Sequence, residues 1–323
     1  MNRIFKPRGF FTVPDGTEVS PFLNASDVMQ GDVPWGLLGE MSIASGRIRS
    51  GVHSWVHIHP AVTQVTYVTG GRLTIRMKER DAPEPYDLNV AAGHAVVSEP
   101  GTLFQLRNDS GEDAEVLYIV SPSYAFEGEE GKAPRHDDAI MVAKTWEELA
   151  SSNYEAEALR KTAYEARAAR AECMRRLAAK KGHPPRPMAE EGVVRIKNDY
   201  DYLAPDGSEI RLLVGGEHGS LAHCVLPPGK ASAPVRHRTV EELWYVLEGS
   251  GEVWRGRDGE ARRRDVIRTG DSIRIPVATT FQFRAGAGGA LKLLLTTMPP
   301  WPGAQEAVQV PGAFDEAGRG ERS

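Results

Sequence analysis

The chain has 323 residues, of which 41% are hydrophobic and 26% are charged, and its formal net charge is −5. That length allows two domains of ordinary size, each with its own core. The net negative charge provides no general positive field for nucleic acid or anionic lipid, so we expect neither as a partner. The two cysteines, Cys173 and Cys224, argue against a disulfide scaffold and favour a reducing compartment.

The N-terminal stretch "MNRIFKPRGFFTVPDG" lacks the apolar core of a signal peptide. No apolar run approaches the roughly 18 residues that a membrane helix needs. We therefore expect a cytoplasmic protein that does not enter a membrane.

The first region, residues 1–144, alternates short apolar runs with turn residues, as in "LTIRM", "HAVVSEPGT" and "AEVLYIVSP". Runs of this length and spacing predict the strands of an all-β domain. Residues 145–190 differ, because Ala, Glu, Arg and Leu dominate and Thr145 with Glu148 has the spacing of a capping box. This second region predicts a helical linker that ends at a Gly and a Pro pair.

The β pattern returns in the third region, residues 191–323, and its last residues, "DEAGRGERS", are expected to be disordered. The two β regions repeat each other. "HIHPAVTQVTYVTGG" corresponds to "VRHRTVEELWYVLEG", and "EPGTLFQLRN" corresponds to "IPVATTFQFRA". Two blocks in the same order predict a duplicated domain.

The first of these blocks resembles the cupin signature G-x5-H-x-H-x3,4-E-x6-G. The first copy fills its positions with Gly51, His57, His59, Gln64 and Gly71. The second copy fills them with Gly229, Val235, His237, Glu242 and Gly249. The other block is similar to the second cupin motif, with Phe104 and Phe281 where a histidine is usual, and the C-terminal half is also similar to bacterial single-domain cupins.

The resemblance implies an all-β bicupin: two cupin (double-stranded β-helix, jelly-roll-like) barrels with a helical connector. It also implies assembly into a homo-oligomer. A complete cupin site has three His and one Glu around iron, manganese, nickel or zinc. Because side chains alternate along a strand, His57 and His59 are expected to point into the same lumen.

The resemblance places Gln64 at the position of the usual Glu ligand of the first barrel, so a metal there would be held by His57, His59 and a third group such as Gln64. The third histidine is missing, because Leu103 and Phe104 cannot bind a metal. The alternative is a pair of histidines hydrogen-bonded in a polar barrel without a metal. In the second barrel, His237 and Glu242 would be joined by His223 from the preceding strand in a two-His, one-carboxylate set. The alternative there is a metal-free pocket in which Glu242 pairs with His237 or an arginine.

Large aromatic side chains are expected to line the two lumens and to offer stacking surface to a small organic substrate. These residues are Trp55, Phe104, Trp244 and Phe281. The alternative is that they form ordinary barrel core.

Three functions are compatible with these residues. The first is a dioxygenase-type oxidoreductase that uses one divalent transition metal, with iron favoured over manganese, nickel or zinc. The second needs no metal: it is an isomerase or lyase with His237 and Glu242 as catalytic acid and base. The third is a non-catalytic protein that binds a small molecule.

Overall fold

The structure of the protein is a computed structural model. It describes residues 4–5, 9–23, 42–60, 62–79, 82–121, 124, 126–127, 135–136, 139–151, 192–215, 219–259 and 261–314. The elements up to residue 195 are β1 (Ile4–Phe5), β2 (Phe11–Thr12), β3 (Glu18–Leu23), β4 (Ser42–Ile48), β5 (Val56–Ile58), β6 (Thr63–Gly70), β7 (Arg72–Lys78), β8 (Tyr86–Ala91), β9 (His94–Ser98), β10 (Leu103–Arg107), β11 (Ala114–Ser121), β12 (Phe126–Glu127), β13 (Arg135–His136), β14 (Ile140–Ala143), α1 (Trp146–Ser151) and β15 (Val194–Arg195).

The elements that follow are β16 (Tyr202–Leu203), β17 (Glu209–Gly215), β18 (Ser220–Leu226), β19 (Val235–His237), β20 (Glu241–Glu248), β21 (Ser250–Gly256), β22 (Arg263–Arg268), β23 (Ser272–Ile275), β24 (Thr280–Ala285), β25 (Leu291–Met298), a 3₁₀ turn (Ala304–Glu306) and β26 (Ala307–Gln309). Strands are therefore the main element of the described chain, as the sequence predicts. In this part of the chain no helix has the length and apolar character needed to cross a membrane.

The chain divides into two compact units, and each of them is a two-sheet barrel. The N-terminal unit has a seven-stranded sheet in the order β15-β9-β6-β11-β4-β3-β2 and a five-stranded sheet in the order β14-β5-β10-β7-β8. The alternating pattern of these strands puts Val68, Ile75, Phe104 and Val116 into one buried cluster between the sheets.

The C-terminal unit repeats this plan with its own two sheets. Their orders are β1-β23-β20-β25-β18-β17-β16 and β22-β21-β24-β19-β26. Its core holds Trp244, Val253, Phe281 and Phe283, all of them buried. The tight turn after β20 requires Gly249, which has a φ of 86° and where a Cβ would collide with the carbonyl of Ala290.

The predicted linker begins where the sequence places it. The Glu148 amide donates to Thr145 Oγ1 at 3.1 Å, and the Lys144 amide donates to Glu148 Oε2 at 2.8 Å, so the N-terminus of α1 is capped. Residues 152–191, most of the predicted linker, and the tail 315–323 lie outside the described residues. The limits 1–144, 145–190 and 191–323 therefore stay a proposal.

Candidate functional sites

Each barrel encloses a cavity with apolar walls and a small number of polar side chains. The N-terminal cavity is lined by Asp15, Thr17, Ser42, His57, His59 and Gln64 among apolar and aromatic residues that include Phe11, Ile43, Tyr118 and Tyr124. His57 and Gln64 are buried, as is His59. The prediction that strand alternation brings these three side chains to one lumen agrees with their positions.

The two imidazoles of this cavity lie side by side, with ring centroids 5.4 Å apart. His57 Nδ1 lies 2.8 Å from the carbonyl oxygen of Trp55, so Nδ1 carries the proton and Nε2 keeps its lone pair. Burial lowers the pKa of His57, while the charge of Asp15 and the bond to Trp55 oppose that change. His57 is therefore a neutral imidazole whose Nε2 can accept a hydrogen bond or bind a metal.

The described residues of the N-terminal barrel do not supply the rest of a cupin ligand set. Phe104 lies opposite His57 on β10 and packs against both imidazoles, with centroid distances of 4.1 Å to His57 and 5.1 Å to His59. Gln64 donates its amide hydrogen to Thr66 Oγ1 at 3.2 Å. An aromatic ring thus fills the place of the third histidine, and a neutral amide replaces the carboxylate.

Trp55 does not line the cavity, contrary to the prediction. It precedes β5, is half-buried, and has Lys144 Nζ 5.4 Å from its ring centroid. His59, directly after β5, keeps the alternation that brings His57 into the lumen, whereas Trp55, directly before β5, does not. What Trp55 supplies is its backbone oxygen, which fixes the tautomer of His57.

The C-terminal cavity contains His237, Glu242, Trp244 and Phe281, the residues predicted for it. Trp244 Nε1 donates to Glu242 Oε2 at 2.7 Å, and His237 Nδ1 lies 3.8 Å from Glu242 Oε1. The aromatic rings of Phe281 and Trp301 each lie 5.0 Å from the His237 ring. An imidazole and a carboxyl therefore share one apolar, aromatic pocket.

Burial sets the protonation of this pair. It raises the pKa of Glu242 to about 8, against a hydrogen bond from Trp244 that acts in the opposite direction. It also lowers the pKa of His237 to about 4. At neutral pH the carboxyl therefore holds its proton and the imidazole is uncharged, and the order of the two pKa values is the reverse of that in water.

His223 does not join His237 and Glu242, contrary to the prediction. Ser220 and Ala222 of β18 line the cavity, so the alternation of that strand directs His223 to the opposite face of the sheet. There it lies across from Arg211, and burial together with the charges of Arg211 and Lys292 lowers its pKa to about 4.

The donor groups of the two cavities do not amount to a metal site. No group of three His, Cys, Asp or Glu side chains in the described parts of the chain is arranged to hold a metal ion. The first cavity has two histidines and the second has one histidine and one glutamate. The aspartate that also lines each of them, Asp15 or Asp206, does not complete a group of three ligands within the described residues. Because protein metal sites of this kind use three or more ligands, the residues present do not fit the metal that the resemblance implies.

One cavity element was missed by the sequence analysis. The hairpins "VPDGTEV" and "APDGSEI" bring Asp15 and Asp206 to equivalent places in the two cavity walls. They are 191 residues apart, whereas the His59 and His237 blocks are 178 apart, so the alignment of the histidine blocks does not reveal them. The shared P-D-G-[ST]-E pattern is the signal that identifies them.

Comparison with known proteins agrees with this architecture. The cupin domain family matches residues 222–297. A stretch of 115 residues is 34% identical to the uncharacterized protein MJ1618 of Methanocaldococcus jannaschii, covering 33% of this chain and 88% of that protein. The chain therefore belongs to the cupin superfamily.

Solved structures extend the likeness to both barrels. The coconut allergen cocosin matches with a TM-score of 0.62 and 14% identity, over 92% of this chain and 85% of its own. The 11S globulin of Wrightia tinctoria, whose structure is described as revealing an auxin binding site, matches with a TM-score of 0.62 and 13% identity. The match covers 92% of this chain and 83% of the globulin. A variant of Bacillus subtilis oxalate decarboxylase matches with a TM-score of 0.63 and 12% identity, and the match covers 95% of this chain and 79% of the decarboxylase. At these identities the likeness shows the bicupin fold alone.

Proposed function

We propose that the C-terminal barrel is the active site of a metal-independent isomerase or lyase, in which His237 is the general base and Glu242 the general acid. The observation that carries this proposal is that His237 and Glu242 lie 3.8 Å apart in one apolar cavity, where burial lowers the pKa of the first and raises that of the second. Two titratable groups whose surroundings push their pKa values apart have the assignments needed for acid and base catalysis.

The reaction we propose is proton transfer at a carbon next to a carbonyl group. The neutral imidazole of His237 accepts the carbon-bound proton, and the carboxyl of Glu242 gives its proton to the carbonyl oxygen as negative charge develops there. This leaves an imidazolium and a carboxylate, which stabilise each other across the 3.8 Å gap. Return of a proton at another carbon completes an isomerisation, and loss of a neighbouring group completes an elimination.

The surrounding residues position this pair. The Trp244 Nε1 hydrogen bond holds one oxygen of Glu242 and leaves Oε1, the oxygen nearer His237, to carry the proton. Phe281 and Trp301 pack on the imidazole and keep water from it. Their apolar surface also strengthens every charge interaction in the cavity.

Hydrogen–deuterium exchange tests this proposal. Phenylacetone, a small neutral ketone with an aromatic body, would be incubated with the protein in D₂O, and deuterium at its α-carbon followed by NMR. We expect exchange above the buffer rate, and a loss of about 100-fold in both His237→Gln and Glu242→Gln. Exchange that is equal in the two variants and the wild type would contradict the assignment.

The metal-dependent oxidoreductase is the second candidate, and the Nε2 lone pair of His57 beside His59 is the observation that favours it. Because the donor set is incomplete, we derive no step through a metal. Metal content by mass spectrometry, after incubation with iron, manganese, nickel or zinc, decides between the two. Stoichiometric metal that is lost in a His57→Ala, His59→Ala variant would favour this candidate over the first.

Further expectations complete the proposal. The resemblance to cupins implies a homo-oligomer, and the cysteine count favours the cytoplasm as the place where the protein acts on a small organic molecule. If exchange and metal binding are both absent, a non-catalytic small-molecule binder is the remaining function.

A further inference from the structure

The P-D-G-[ST]-E hairpins of the two barrels have the same hydrogen bonds as well as the same sequence. In the first, Gly16 N donates to Val13 O at 2.9 Å and Val13 N donates to Thr17 O at 2.9 Å. In the second, Gly207 N donates to Ala204 O and Ala204 N donates to Ser208 O, both at 2.8 Å. The glycine of each turn has a positive φ, 92° and 86°. The two barrels therefore form this part of the cavity wall with the same hairpin conformation.

Each hairpin is also tied to the strand region that leads to the cupin histidine positions. Trp55 N donates to Asp15 O at 2.9 Å, and Ala233 N donates to Asp206 O at 2.7 Å. These bonds hold each aspartate against the cavity, whose lining includes it. Each aspartate is therefore held in position by hydrogen bonds to the rest of its barrel.

One carboxylate oxygen of each aspartate is left for another partner. Oδ1 of Asp15 accepts from the Thr17 amide and hydroxyl at 2.9 and 2.8 Å. Oδ1 of Asp206 accepts from the Ser208 amide and hydroxyl at 2.9 and 2.7 Å. Oδ2 of either residue makes no hydrogen bond and no ion pair within the described residues.

Neither cavity supplies a positive charge to these carboxyls. Its lining, as far as the chain is described, includes no lysine or arginine. The histidines in the two walls, His57 and His237, have lowered pKa values because they are buried. Burial also raises the pKa of Asp206, which is the effect expected of a carboxyl without a cationic partner.

We propose that Asp15 and Asp206 are ligand-recognition residues, one in each barrel, and that each cavity takes a small organic cation: an ammonium group on an apolar or aromatic body. The ammonium group would donate to Oδ2, where a carboxylate ligand would meet repulsion. Aromatic side chains, Tyr118 in one cavity and Trp301 in the other, favour the same charge and cover the apolar body. In the C-terminal barrel this names the substrate class of the proposed active site; in the N-terminal barrel it assigns a second, separate site.

The first test uses wild-type protein and three probes of one shape: phenethylamine, phenethyl alcohol and phenylacetate. Isothermal titration calorimetry at neutral pH should give the tightest binding for the amine, by about tenfold or more over the alcohol, since a charged hydrogen bond is stronger than a neutral one. It should give no binding of phenylacetate. Equal affinity for amine and alcohol, or a preference for phenylacetate, would overturn the proposal.

The second test assigns the two sites. Asp15→Asn and Asp206→Asn keep an oxygen for the turn hydrogen bonds and replace Oδ2 by an uncharged NH2 group, so both variants should fold and melt like the wild type. Each single variant should lose one of two amine sites, and the double variant both, whereas the affinity for the uncharged phenethyl alcohol should fall much less. Unaltered amine binding in the double variant would refute the assignment. Because the Asp15 site lies outside the proposed active site, its result stands whether or not His237 and Glu242 transfer protons.

Discussion

Two buried glutamates of the C-terminal barrel show how surroundings decide what a carboxyl does. Glu306 accepts hydrogen bonds from the amides of Thr239 and Val240 and from the Thr239 hydroxyl. Glu242 accepts one bond, from Trp244, and otherwise faces an apolar cavity. This apolar burial raises the pKa of Glu242 to about 8, so that it can act as an acid at neutral pH.

The raised pKa of Glu242 predicts how stability depends on pH. Between its usual value of 4.5 and about 8, the folded protein holds a proton that the unfolded chain releases. The wild type should therefore lose stability, relative to Glu242→Gln, by about 1.4 kcal/mol for each pH unit across that window. Urea unfolding of both proteins at several pH values measures this difference. Glu248→Gln, at an exposed carboxyl, is the control, and a difference that does not change with pH would contradict the raised pKa.

At the scale of elements, the 3₁₀ turn Ala304–Glu306 fixes the loop between β19 and β20. Glu306 reaches Thr239 and Val240 in that loop, which joins the strand of His237 to the strand of Glu242. Loss of its carboxylate would leave buried amides without acceptors. The turn thus helps to set the distance between the proposed acid and base.

Replacing Glu306 should therefore be costly. Glu306→Ala is expected to lower the free energy of unfolding by about 2–4 kcal/mol, because it leaves buried hydrogen-bond donors unpaired. Glu248→Ala, which removes an exposed ion pair with Lys292, should cost less than about 1 kcal/mol. Chemical denaturation of the two variants checks the comparison, and equal losses would show that Glu306 does not hold the loop.

The elements were predictable from sequence where the signal is periodic and local. Alternation places His57, His59 and Gln64 in one lumen, and turn glycines such as Gly249 mark strand ends. The prediction for His223 was wrong because sequence alternation does not say which side of β18 faces the cavity. That side is set by the pairing of β18 with β17 and with the distant strand β25. The Asp15 and Asp206 hairpins escaped notice because their spacing differs from that of the histidine blocks.

At the scale of the whole molecule, each barrel keeps a different part of one ligand set. The first has His57 and His59 with Gln64, and the second has His237 and Glu242 with Val235 at the remaining histidine position. Both place a phenylalanine where the last histidine would be: Phe104 opposite His57, and Phe281 opposite Val235. The two barrels thus share their strand plan but differ at the cupin ligand positions, and the proposed chemistry uses His237 and Glu242 of the second barrel.

If Phe104 is what prevents a metal site in the first barrel, replacing it should create one. In Phe104→His a third imidazole would start from a position already in contact with both histidines. We expect the Phe104→His protein to bind Zn²⁺ about tenfold or more tightly than the wild type, because a third protein ligand completes a zinc-binding set. Phe104→Leu removes the ring without adding a donor and is the matched control. Zinc titration of the wild type and the two variants measures these affinities. If Phe104→His folds but binds Zn²⁺ no more tightly than Phe104→Leu, the missing ligand is not what prevents a metal site in this barrel.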